Sequence, residues 1–161
     1  MARNALLGLA AILLASASAA AQDAPVAAGA APDAGAYAWA GQCRACHEAI
    51  YAAWAKTKHA RALDALAADQ RQAGSECVGC HLTGLTTPLT VEGATVNANV
   101  QCEACHGAGK AHAEAAVAGN AGSVPLTSKP GERLCLGCHN QKSPHYRGFF
   151  YDALKGLVHR R

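Results

Sequence analysis

Apolar positions fall in a few short stretches with different spacings. Residues 5–14 form an unbroken apolar run of about ten, too short to span a bilayer. With Arg3 before it and Ala19-Ala20-Ala21 after it, residues 1–21 read as a cleavable secretory signal, so the mature chain would start at Gln22. Residues 22–36 are Ala, Gly, Pro and Asp with no apolar period, and read as a flexible leader to a folded domain over 37–161. Segment 48–68 lacks Gly and Pro and is rich in Ala, Leu, Lys and Arg, which predicts one continuous helix. In 149–158, Phe150, Ala153, Leu154, Leu157 and Val158 recur at helical spacing and predict an amphipathic helix. Residues 111–118 add one or two helical turns, and 119–131 read as a loop. Residues 89–91 and 95–96 could form a short hairpin turning at Glu92-Gly93. The expectation is a mainly α chain with extensive loops and little β.

Composition changes this picture in one respect. The apolar fraction is 51%, but aromatics are only 5% and much of the remainder is alanine, which buries little area. A domain built this way has a thin core, so something else must supply apolar volume, and a large flat cofactor would do so. Charge says less. Loss of Arg3 with the signal leaves 13 Lys plus Arg against 11 Asp plus Glu, too weak a balance to suggest nucleic acid. No other long apolar run follows, so the mature chain is expected to carry no membrane span.

The cysteines carry the chemistry. All eight fall in four pairs of one form, each followed directly by histidine: Cys43, Cys46 and His47; Cys77, Cys80 and His81; Cys102, Cys105 and His106; Cys135, Cys138 and His139. The C-x-x-C-H signature marks covalent haem attachment, in which two thiols add to the haem vinyl groups and the next imidazole turns onto the iron. Zinc sites or disulfides could also use paired cysteines in an exported chain, but neither needs a histidine after every pair. Four haem c groups are therefore expected. Their eight propionates would take the net charge to about −6 if all were ionised.

The other face of each iron decides between electron transfer and ligand binding. The only methionine is Met1, inside the signal, so His/Met ligation is excluded in the mature chain. Four histidines remain as candidate distal ligands: His59, His112, His145 and His159. On a continuous helix, His59 would stand about 18 Å beyond His47 and would serve a haem other than the first. His112 follows His106 by six residues, too few to reach round the same haem easily. His159 lies twenty residues past His139, far enough to fold back. His145 sits in a turn-like Ser143-Pro144-His145-Tyr146 context, where a surface role competes with ligation.

These motifs resemble the tetrahaem cytochrome c-554 family, known for electron transfer in ammonia-oxidising bacteria. The first motif continues through Tyr51, Trp54, Thr57, His59 and Ala60. The second continues to Gly84. The third, Val100-Gln101-Cys102-Glu103-Ala104-Cys105-His106-Gly107 with Gly109 and His112, is the most specific. The fourth, with Ser143-Pro144 and a histidine after a Phe/Tyr-rich helix, also fits. The resemblance implies a multihaem cytochrome c fold organised around four covalent haems in closely packed pairs. It further implies His59 on the third haem, His112 on the first, His159 on the fourth, and an open iron at the haem held by Cys77 and Cys80. The chain departs from the family in being shorter, richer in alanine and less basic, and in having His145.

The function expected is periplasmic electron transfer through mostly bis-histidine haems, with redox proteins as partners. The alternative is an enzyme that reduces a small nitrogen or sulfur oxide at one five-coordinate haem. No separate nucleophile or general-base constellation is visible, which favours a carrier over an enzyme.

Overall fold

The computed structural model describes residues 33–85 and 87–159. The signal assigned to 1–21 and most of the leader lie outside the described residues. The end of the leader stretch forms a 3-10 turn, Ala34–Ala36, with the Asp33 carboxylate accepting the Gly35 N–H.

Among the described residues, seven short helices are joined by 3-10 turns and loops: α1 (Trp39–Arg44), α2 (Glu48–Trp54), α3 (Val78–His81), α4 (Cys102–His106), α5 (Lys110–Val117), α6 (Glu132–Leu136) and α7 (Tyr151–Leu154). Each C-x-x-C-H motif sits on or at the end of one helical turn. The His47 and His139 N–H groups donate to the carbonyls of Cys43 and Cys135, four residues back. Such a turn puts the first cysteine, the second three residues on, and the histidine four on along one face.

The expected hairpin is present. Strand β1 (Thr90–Val91) pairs antiparallel with β2 (Ala94–Thr95), Thr90 opposite Thr95 and Val91 opposite Ala94. Glu92 and Gly93, at φ 50° and 81°, give the doubly left-handed two-residue turn that matches strand twist.

The helix expected over 48–68 does not run through. α2 stops at Trp54, and 3-10 turns follow at His59–Arg61 and Leu63–Ala65. Partners from outside the segment break its ladder. The Trp54 indole donates to the Val100 carbonyl (2.9 Å), the His59 carbonyl accepts the Val100 N–H, and the Leu63 N–H donates to Asn99 Oδ1 (2.8 Å). Helix propensity here gives way to tertiary hydrogen bonds. The C-terminal helix is likewise shorter than expected, α7 followed by a 3-10 turn at Lys155–Leu157.

The apolar core is small, as the alanine content implies. Val78, Leu66 and Leu82 form its centre, with Leu63 and Cys77 against them. Tyr37, Ala38, Ala40 and Trp54 are the other buried apolar residues. Full burial of a Val or Leu contributes about 1.5–3 kcal/mol, and few such side chains are present. In the C-terminal part, Leu134, Leu136, Phe150, Leu154 and Leu157 are exposed.

Polar side chains hold what the core does not. Thr83, Asn97, Gln101 and Glu103 are buried. The Gln101 N–H donates to Thr83 Oγ1, whose hydroxyl donates to the Asn99 carbonyl. Asn97 Oδ1 accepts the Leu89 N–H and its amide donates to the Thr87 carbonyl. Residues 97–103 thus form a hydrogen-bonded strap that joins α2, the segment after it, the second motif and the hairpin to the third motif.

Candidate haem site

The structure brings histidines together in pairs. The His59 and His139 ring centres lie 5.9 Å apart, and those of His106 and His159 lie 6.0 Å apart. Two imidazoles facing one metal at about 2 Å each, with ring centres about 1.1 Å behind the ligating nitrogens, put those centres about 6 Å apart. Both pairs therefore have the separation that two imidazoles on opposite faces of one iron would have. Among the described residues no three His, Cys, Asp or Glu side chains gather into a site that could hold a metal ion by themselves. A porphyrin supplies four nitrogens of its own and needs only such a pair. All eight cysteines are free of disulfides.

Backbone carbonyls orient three other ring nitrogens. Nδ1–H of His81 donates to the Ala62 carbonyl (2.5 Å), that of His106 to Thr127 (2.5 Å) and that of His112 to Val124 (2.8 Å). A carbonyl only accepts, so each Nδ1 carries the proton and Nε2 keeps its lone pair for a metal. Burial, and after it the neighbouring His139, pulls the His59 imidazole below its usual value, which favours the neutral ring that ligation needs.

The thiols come together across motifs rather than along the chain. Cys43 lies beside Cys102, Cys80 beside Cys138 and Cys105 beside Cys135. The first motif is thus next to the third, and the fourth next to both the second and the third. Interaction with Cys102 pushes the Cys43 thiol up, with burial and the charge of Glu103 adding, and interaction with Cys43 pulls Cys102 down to about 7. Cys138 is pushed up to about 12, chiefly by burial and then by Cys80.

The resemblance implied the third site for His59 and the fourth for His159, whereas the structure sets His59 beside His139 of the fourth motif and His159 beside His106 of the third. The reason lies in the second motif. Its His81 is bonded to the Ala62 carbonyl, three residues past His59, and its Cys80 meets Cys138. The turn that carries His59 is therefore held beside the fourth motif. His47, His81, His112 and His145 stand outside the ring pairs. α5 carries His112, and its Ala113, Glu114 and Val117 face Gln42 of α1 across a shallow groove. His145 is exposed, in a turn where its own N–H donates to Ser143 Oγ. Phe149 stacks on His139 with ring centres 4.7 Å apart.

Gln101 and Glu103, which flank Cys102 in the third motif, hold backbone groups in place, a role that their part in the signature did not reveal. Gln101 Oε1 accepts the Ala40 N–H (2.7 Å) while its amide donates to the Val96 and Ala98 carbonyls (2.7 and 2.9 Å). Glu103 accepts backbone N–H groups from Ala38, Trp39 and Gly109. The available signal was a carboxylate and an amide flanking Cys102 in an otherwise alanine-rich chain.

No curated relative matches the sequence. The family model described as cytochrome c554 and c-prime matches residues 42–107, which hold the first three motifs. The structure is similar to that of reduced cytochrome c554 from Nitrosomonas europaea, with a TM-score of 0.52 and 20% identity over 77% of this chain and 83% of that one. Residues 42–107 thus match the family of cytochrome c554 and c-prime, and the mostly helical architecture around them is the fold of a cytochrome c554.

Proposed function

We propose that the chain is an exported, periplasmic electron-transfer protein that holds four haem c groups. The observation that carries the reading is the spacing of the two histidine rings in each pair, which fits ligation on both faces of an iron. Haem c, when bound, supplies one-electron exchange at its iron. Cys43 and Cys46, Cys77 and Cys80, Cys102 and Cys105, and Cys135 and Cys138 would tether the groups. His47, His81, His106 and His139 would be the proximal ligands. His159 would complete the third site and His59 the fourth. His112, on the helix that faces Gln42 of α1, would complete the first.

The chain's part in such a function is to fix ligands and distances. Imidazoles held by the protein on both faces keep the ligand set the same in either oxidation state. Thiols of different motifs lie beside one another, so neighbouring tethers keep their groups close, as electron transfer between them requires. Among the described residues no helix is long and apolar enough to cross a membrane.

A second reading has one observation in its favour: His81 stands outside the ring pairs, and the remaining candidate, His145, lies in an exposed turn. An iron open on one face there could bind a small nitrogen or sulfur oxide. Protein matured in the periplasm tests both readings. A pyridine haemochrome assay should give four haems per chain, and colourless material would end the electron-transfer proposal. Carbon monoxide binding to the reduced protein, together with a high-spin signal in the oxidised one, would favour the open site. Low-spin iron throughout would exclude it.

A further inference from the structure

Between the cysteines of the third motif lies a buried carboxylate that neither tethers nor ligates. Glu103 is 4% exposed. Its Oε1 accepts the N–H of Ala38 (2.8 Å) and of Gly109 (2.7 Å), and its Oε2 accepts the N–H of Trp39 (2.8 Å). These donors sit at two strategic ends. Ala38 and Trp39 open α1, which carries Cys43, and Gly109 caps α5, which carries His112. One side chain thus ties together the first attachment site, the third, and a candidate distal ligand. Trp39 shows how firm the tie is, because it is held at φ 59°, a left-handed conformation that a bulky residue rarely adopts.

The three partners are neutral amides. They orient the negative charge without cancelling it. Its field opposes loss of a proton at Tyr37, Cys43 and Cys102, so it reaches the tethers of both the first and the third site. A fixed negative charge stabilises the more positive oxidised state of a nearby redox group.

We propose that Glu103 is a positioning residue that also tunes potential. It sets the first and third attachment sites in register, and its charge lowers the potentials of the groups tethered at Cys43 and Cys46 and at Cys102 and Cys105. The inference rests on the electron-transfer reading and adds to it a residue outside the ligand set.

The test is an EPR-monitored redox titration of the full mature holoprotein with Glu103→Gln, which keeps the shape and one acceptor oxygen but removes the charge. Haem content should match the wild type. Two of the low-spin centres should become easier to reduce by on the order of tenfold in the equilibrium constant, about 59 mV for a one-electron couple, while the others hold. Unmoved potentials, or an equal shift at every centre, would overturn the proposal. Glu103→Asp keeps the charge and shortens the reach. It should lower the melting temperature and leave the potentials in place, and it decides the matter if Glu103→Gln does not accumulate. A shift in Glu103→Asp at the same two centres would mean that distortion, not charge, sets them. Wild-type protein without haem would instead end the electron-transfer reading itself, so the two failures are distinguishable.

Discussion

Gln101→Ala should destabilise the folded protein by about 3 kcal/mol, and the figure follows from what the truncation strands. Gln101 is 7% exposed and serves three backbone groups at once: the buried Ala40 N–H and the half-buried Val96 and Ala98 carbonyls. Leaving one buried polar group unpaired costs about 1–3 kcal/mol. The Ala40 N–H should bear most of that, because Ala40 is itself buried. The two carbonyls should bear less each, because water can reach them in part. For a chain of this size, 3 kcal/mol corresponds to a fall in melting temperature of about 10 °C.

Guanidinium unfolding of the holoprotein, followed by Trp fluorescence and by the haem absorption band, would measure the change. Gln101→Glu makes the reasoning sharper. It keeps an oxygen for the Ala40 N–H but turns an acceptor toward the Val96 and Ala98 carbonyls, and it buries a second carboxylate two residues from Glu103. It should be at least as destabilising as Gln101→Ala at neutral pH, despite its nearly identical shape. A loss below about 1 kcal/mol in both variants would show that the strap is not a structural tie.

Three further outcomes are expected. Gly84→Ala should cost about 2–4 kcal/mol in the same assay, because Gly84 is at φ +72° and an added Cβ would sit 2.1 Å from Tyr37 Cζ; wild-type stability would contradict the packing of Tyr37 over Gly84. His59→Ala should convert one low-spin centre to high spin, and its magnetic coupling should identify the fourth site, opposite His139, so a change at the first or third site would refute the pairing. Protein expressed without haem maturation should show no cooperative thermal transition, since the apolar core is only a few side chains; a cooperative melt near that of the mature protein would show that the polypeptide holds its own fold.

The candidate attachment motifs were legible because covalent chemistry is written locally. A tether and a proximal ligand would lie within five residues, so Cys102, Cys105 and His106 stand out as candidates whatever the rest of the chain does. The hairpin was legible for the same reason, Glu92-Gly93 being a two-residue signal with a two-residue consequence. The helix over 48–68 misled because its composition favours helix at every position, while the bonds that end it come from Asn99 and Val100, more than thirty residues away. Propensity contains no term for such partners. The buried strap was hidden for a related reason, since Thr83, Asn97, Gln101 and Glu103 are residue types ordinarily found at the surface.

Distal ligands pose the hardest case, and the structure shows why. Motifs that start at 43, 77, 102 and 135 form a spaced series that does not itself say which of them meet. The thiols meet as first with third, second with fourth and third with fourth. That order is produced by polar contacts between sequence-distant segments: Glu103 draws the start of α1 onto the third motif, and the Ala62 carbonyl draws His81 of the second motif beside the turn that carries His59. Once these are in place, His59 has the fourth motif before it and His159 has the third. Which motif each of these histidines stands beside is thus decided by polar contacts made elsewhere in the chain, and a change at Glu103 or Gln101 should reach the candidate haem sites sooner than a change at any exposed lysine or arginine.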